Sequence, residues 1–337
     1  MISLDSFFSQ GEIVAALPEQ LRSARLPHAV LITGAEGVGK WTLAGTIAAA
    51  LLCEDPAGEK IPCGKCKACM MTEHFSHPDL MILQKGHPLV PTETKTVIPV
   101  EDIREMIRRL SLQGFQSNRH VVMIRRAEDM NEAAQNKLLK TLEEPAEGTF
   151  FLLTSDNAES LLPTIVSRCS MIKLHPWNDR EVVRVLKENG IEEFRARETA
   201  GEAEGSLGRA LRIASDEKYW EFRKNVMQDI LSCKRRSDIL CISTKWKDRK
   251  EEADDLFSVL ENFFSRLMRF SLKLLDETSV PQDCPDQWKQ YACRAEVGNY
   301  IYIFEEIGLA RKRVRFSVNF QTVIEQLLLS FMEALEK

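Results

Sequence analysis

Residues 34–41 read Gly-Ala-Glu-Gly-Val-Gly-Lys-Trp. The spacing G-x-x-x-x-G-K-[S/T] lets a backbone turn tightly, aims its N–H groups at phosphate at the start of a helix, and brings a lysine to the terminal phosphates. Gly34, Gly37, Gly39 and Lys40 fill that pattern. The last position normally supplies a hydroxyl to magnesium. Here it is Trp41, which has no oxygen to offer. A second departure lies downstream. In such folds an apolar strand ends in an aspartate that helps hold magnesium. The matching strand here, 121–124 (VVMI), runs into Arg125-Arg126, and Glu128 and Asp129 come beyond its tip. Two cations therefore stand where carboxylates are required. The loop is expected to be a degenerate nucleotide site in which binding of ATP or ADP is open but metal-assisted hydrolysis is not.

A second group is Cys53 with Cys63, Cys66 and Cys69. Four soft thiolates in a C-x-x-C-x-x-C run plus one upstream partner suit tetrahedral zinc. They leave no open coordination position, so the metal would be structural. His74 and His77 are close by but are not needed. The other five of the nine cysteines, 169, 233, 241, 284 and 293, are scattered and read as small core residues or inert thiols. A third feature is Ser167-Arg168-Cys169, just ahead of a strand. An arginine there could reach a neighbour's phosphates and stabilise charge in transfer.

The elements needed to position these groups can be read from periodicity. Apolar runs at 28–33 (HAVLIT), 79–83, 120–124, 150–154 and 171–174 alternate with helical patterns at 41–52, 100–110 and 131–144. Continuous apolar strands separated by helices imply a parallel sheet covered on both faces. Ala134, Leu138 and Leu142 share one helical face, Asp129 or Asn131 caps the start of that helix, and Pro145 follows its end. Past His175-Pro176 the strands stop. A charged helix at 179–189 precedes short helices over 194–214, broken at Gly201 and Gly205. From 215 on the pattern is helical, with long stretches at 220–231, 253–275 and 323–335.

Size and composition set outer limits. The 337 residues suggest two or three domains, and 44% hydrophobic with 28% charged residues describe a soluble protein with real cores. Apolar runs such as 47–52 are too short to span a bilayer, and residues 1–10 have no export signal, so a cytoplasmic location without membrane contact is expected. The net charge of −5 gives no global attraction to nucleic acid.

The order HAVLITGAEGVGK, four spaced cysteines, NKLLKTLEEP (136–145) and LLPTIVSRCS (161–170) resembles the bacterial DNA polymerase III clamp loader subunits of the AAA+ class. The resemblance covers about residues 3–214 well and the helical tail weakly. It implies an α/β P-loop AAA+ domain with a parallel sheet (1–175, zinc module 53–69), a small helical lid (176–214) and an all-α collar for oligomerisation (215–337), with 314–329 similar to the family's final collar helices. ATPase members keep the metal-binding threonine, the acidic pair and an arginine in a later Gly-Ser-Leu-Arg segment. This chain has Gly205-Ser206-Leu207-Gly208, with Arg209 next to it as a substitute candidate. Three losses fit the non-hydrolysing delta-prime branch, not the gamma/tau ATPases. The resemblance further implies that Arg168 is an arginine finger used in trans on a gamma/tau neighbour. It also implies that the four cysteines match the family's zinc module, and that Thr154 or Ser155 occupies the phosphate-sensing position. Implied partners are gamma/tau and delta subunits and, through the assembly, the sliding clamp and primed DNA. Arg311-Lys312-Arg313 reads as a solvated or interface cluster. The rival readings are an active gamma/tau-like ATPase, which lacks its magnesium ligands here, and a P-loop nucleotide kinase, for which no phosphoryl-accepting machinery is visible. A zinc-bearing nucleic-acid module is disfavoured by the net charge.

Overall fold

The computed structural model describes residues 3–55, 58, 60–87, 89–90, 96–111, 118–233, 235–274, 295–316 and 318–336. The chain divides into two compact units: residues 1–178 with 205–208, and residues 179–204 with 209–337.

The first unit opens with a 3-10 turn, Leu4–Gln10, and two short helices, α1 (Glu12–Ala15) and α2 (Leu17–Arg22). Then come β1 (Ala29–Thr33), α3 (Lys40–Leu52), α4 (Lys67–Glu73), β2 (Leu80–Leu83), α5 (Val100–Leu110) and β3 (His120–Ile124). It ends with α6 (Glu132–Glu143), β4 (Thr149–Ser155), α7 (Pro163–Val166) and β5 (Ser170–Lys173). The five strands form one sheet in the order β2-β3-β4-β1-β5, and every pairing is parallel. Each strand expected from the apolar runs is present, with ends shifted by a residue at most.

Side chains alternate across a strand. Ala29 and Leu31, Val122 and Ile124, and Phe151 and Leu153 join one core with Ile103 and Met106 of α5, Ala134, Leu138 and Leu142 of α6, and Ile165 of α7. The alternate residues Val30, Ile32, Val121, Met123 and Leu152 are equally buried. Helix α3 packs on β1, β3 and β4. Asn131 is the cap of α6: its Oδ1 accepts from Ala134 N at 2.8 Å. The other candidate, Asp129, belongs to a separate 3-10 turn, Ala127–Asp129. Leu138 is fully buried in this core. Leu138→Ala is expected to lower unfolding free energy by roughly 2–5 kcal/mol, read as a reduced urea midpoint with an unchanged slope.

The described residues of the second unit are helical: α8 (Asp179–Glu188), α9 (Glu193–Ala203), α10 (Leu207–Ala214), α11 (Glu217–Ser232), α12 (Arg236–Trp246), α13 (Ala253–Ser271), α14 (Val297–Arg315) and α15 (Phe320–Glu336). The first two residues of α10 group with the first unit. An aromatic-rich core gathers Trp246, Phe257, Phe264, Tyr300 and Phe331. A buried ionic network ties α9 to α11 and α13: Arg223 Nε donates to Glu202 Oε1 at 2.7 Å, and Asn262 Nδ2 donates to Glu202 Oε2 at 3.0 Å.

Two sequence expectations are corrected here. Gly201 does not break a helix; it lies inside α9, with the Arg266 guanidinium at ordinary contact distance from its Cβ position. The break comes at Glu204 and Gly205, both with positive φ. Arg311 is not a solvated charge: half-buried on α14, it donates to Glu261 of α13 at 2.8 Å. Leu275, Cys284 and Cys293 lie outside the described residues. No described helix is long and apolar enough to cross a membrane.

Candidate functional site: a self-satisfied phosphate loop and a distant arginine

The Gly-rich loop leaves the C-terminal end of β1 and enters α3. Gly34 has φ +147°, and a Cβ there would lie 2.6 Å from the Leu174 carbonyl oxygen, so only glycine fits. Lys40 is buried, with 7% of its surface exposed. Its ammonium donates to Gly34 O (2.8 Å) and Ala35 O (2.7 Å) and lies 2.6 Å from Asp156 Oδ1. An ammonium has three donors, and all three are engaged inside the chain.

The remaining loop carbonyls are also taken. Ser206 Oγ donates to Glu36 O at 3.2 Å, Gly208 N to Gly37 O at 2.8 Å, and Trp177 Nε1 to Val38 O at 2.8 Å. A side chain at position 208 would meet Gly37 Cα at 3.1 Å, so glycine permits this close backbone approach. Phe7 of the N-terminal turn packs its ring 5.8 Å from Trp177.

Sheet order explains how Asp156 reaches the lysine. Strand β4 is the neighbour of β1, and Asp156 follows its last residue. Strand β3 lies on the other side of β4, and Arg126 reaches back from its tip to Asp156 Oδ2 at 2.6 Å. Arg126 has φ +51°, a conformation that non-glycine residues rarely adopt. Its N–H donates to Thr154 Oγ1 at 3.1 Å, and Glu128 Oε1 accepts from Asp156 N at 3.0 Å. Thr154, expected at a phosphate-sensing position, is thus engaged with the end of β3, and Ser155 Oγ accepts from Asn157 N.

Trp41 and Arg125, which stand at the two departures from the magnesium-binding pattern, meet in space. The Arg125 guanidinium lies 5.5 Å from the Trp41 ring centre, and the Phe75 ring stacks on Trp41 at 5.8 Å. A cation–π pair thus joins the two residues that depart from the expected hydroxyl and carboxylate.

Arg168 sits elsewhere. It follows α7 and precedes Ser170, which pairs with Val30 near the start of β1. The sheet is parallel, so Arg168 lies at the strands' N-terminal ends, whereas the loop leaves the C-terminal end of β1. Four residues of strand separate those levels, roughly 13 Å along the sheet. Arg168 Nη1 donates to Thr164 O at 3.0 Å, and Nη2 donates to Glu143 Oε1. The adjacent Cys169 packs against the core, and burial pushes its thiol up to about 11.

The four cysteines converge. Their Sγ atoms all lie within 4.8 Å of one another, and Cys63 and Cys69 are 3.9 Å apart. Tetrahedral Zn–S bonds of about 2.3 Å put sulfurs ~3.8 Å apart, so the donor set fits. Cys66 N donates to Cys63 Sγ and Cys69 N to Cys66 Sγ, which caps α4. A backbone N–H from Lys65 pulls the Cys63 thiol down to about 7, while burial raises Cys53 and Cys69. Cys53 terminates α3, the helix begun by the loop, so the cluster fastens the far end of that helix. His74 and His77 are not part of the cluster.

A family model described as "DNA polymerase III, delta subunit" matches residues 9–178, more than half of the chain. The chain belongs to this DNA polymerase III family. The "DNA polymerase III subunit delta'" of Haemophilus influenzae is 35% identical over 225 residues, covering 66% of this chain and 65% of that protein. The subunit of the same description from Bacillus subtilis is 27% identical over 334 residues, covering 96% of each. A solved DNA polymerase III gamma subunit-related protein of Thermotoga maritima is 16% identical, with a TM-score of 0.39, covering 94% of this chain and 99% of that one. The observed α/β architecture, a five-stranded parallel sheet with the Gly-rich loop between β1 and α3, agrees with the fold expected from the sequence.

Within this family member, the structure unites Gly34, Gly37, Gly39, Lys40 and Trp41 in one loop, gathers the four cysteines in a second site, and holds Arg168 apart from both. Sequence reasoning missed Asp156 and Glu143. Asp156 had a faint signal, an acid one residue past a strand tip. Glu143 had another, an acid ending a helix, where the dipole disfavours it.

Proposed function

We propose that this chain is a non-hydrolysing, delta-prime-like subunit of the DNA polymerase III clamp loader. It has a zinc module at Cys53, Cys63, Cys66 and Cys69, and supplies Arg168 in trans to a triphosphate held by a gamma/tau neighbour. Residues 176–214 serve as the lid and 215–337 as the collar. With delta and gamma/tau subunits it helps to place the sliding clamp on primed DNA in the cytoplasm. The observation that carries this reading is the Trp41–Arg125 contact, which replaces both magnesium-facing positions at once. The engaged Lys40 ammonium supports it, because phosphate must displace Asp156 and two carbonyls to reach that charge. The strand-level separation supports action in trans, since Arg168 lies at the opposite end of the sheet from its own loop. Zinc, when bound, supplies a crosslink between the end of α3 and α4, with no open position for chemistry.

The isolated chain is expected to show no ATP turnover above background, and any ADP or ATP binding is expected to be unchanged by magnesium. Calorimetric titration with and without the metal, beside a phosphate-release assay, measures both. Brisk turnover by the purified chain would sink the proposal. Trp41→Thr alone is expected to leave turnover absent, because Arg125 and Arg126 still repel the cation.

A further inference from the structure

We infer that Glu143 is the positioning residue for Arg168; this rests on the arginine-finger reading above and deepens it. Glu143 is the last residue of α6 and Glu144 follows it. Acids there face the carbonyl end of the helix dipole, where cations are preferred. The helix gains nothing locally from a carboxylate at that place, so its use must lie in what it touches.

It touches the guanidinium. Glu143 Oε1 accepts from Arg168 Nη2, while Thr164 O, one turn back on α7, accepts from Nη1 at 3.0 Å. Two anchors from two elements set the plane of the group. Five N–H donors are present and two are used, leaving three for an incoming phosphate. The segment beneath is itself clamped to α6. Gln135, buried on that helix, accepts from Leu162 N at 2.8 Å and donates to Met130 O at 3.2 Å, and Ile165 is fully buried. Arg168 is thereby carried on a rigid support and its long side chain is pre-set.

The magnitudes allow release as well as positioning. Arg168 is 34% exposed and Glu143 46%. An ion pair so exposed is weak, and a triphosphate carries several negative charges. The phosphate can therefore draw the guanidinium over without any large rearrangement of α6 or α7. Glu143 restricts where the arginine starts and then orients it from behind.

The test is steady-state ATP hydrolysis by a reconstituted loader carrying Arg168→Ala, Glu143→Gln, Glu143→Asp or the Arg168→Ala/Glu143→Gln pair. Glu143→Gln is expected to lower kcat by roughly 3–10-fold with KM for ATP unchanged, the scale of an oriented group losing one support. Glu143→Asp, which keeps the charge, is expected to recover part of that loss. In the Arg168→Ala background, Glu143→Gln is expected to add nothing. If Arg168→Ala impairs the loader and Glu143→Gln does not, the inference fails while the finger reading stands. Losses that add in the double variant also overturn it, since Glu143 would then act through something else. A silent Arg168→Ala removes the finger reading itself and the inference with it.

Discussion

A loader assembled with the Arg168→Ala chain is expected to hydrolyse ATP about a thousandfold more slowly, within the roughly 10³–10⁵ range that a trans arginine supplies to phosphoryl transfer. The isolated variant is expected to keep its melting temperature within a few degrees. The two halves of that expectation have separate causes. A guanidinium acting on the transition state neutralises charge that develops only there, so its removal appears in kcat. In the free chain the substitution removes only an exposed ion pair with Glu143 and a hydrogen bond to Thr164 O. An exposed pair contributes about 0–1 kcal/mol. Measuring kcat of the assembly beside thermal unfolding of the single chain separates chemistry from folding. A normal rate would remove Arg168 from the active machinery.

Stripping metal from the cysteine cluster is expected to have the largest effect on stability. Structural zinc in small modules contributes on the order of 10 kcal/mol. Here the module is joined to a larger core, so the expected outcome is local unfolding of the segment around Cys53–Cys69 together with a clear fall in melting temperature. Cys69 is fully buried on α4, and Cys53 ends α3. Cys69→Ser is therefore expected to lose the metal, about one zinc per chain, and to loosen the packing of α4 on α3 that the cluster secures. Metal analysis and hydrogen exchange over this segment report the two consequences. A metal-free preparation with native protection there would refute the assignment. Because Phe75, just past α4, stacks on Trp41, the same loss is expected to increase exposure of Trp41, readable in its fluorescence.

Most of the fold was legible in residue order because its signals are local. Five apolar runs became five parallel strands, and the amphipathic face of Ala134, Leu138 and Leu142 became the core side of α6. Gly201 misled because an isolated glycine is tolerated inside a helix held by its neighbours, and α13, which packs on α9, is far away in sequence. Arg311 misled similarly, since its partner Glu261 lies on another helix.

Residue types and spacings were enough to mark the Gly-rich loop, Trp41 and Arg125 in place of a hydroxyl and a carboxylate, the four-thiol set and the Ser-Arg-Cys segment. Those are properties of short stretches, and chemistry such as a missing hydroxyl needs no coordinates. Strand order was required to make Asp156 the partner of Lys40, to bring Trp41 against Arg125, and to hold Arg168 at the opposite end of the sheet from its own loop. Parallel crossovers bring together groups separated by scores of residues, and no local pattern encodes which strand will lie beside which.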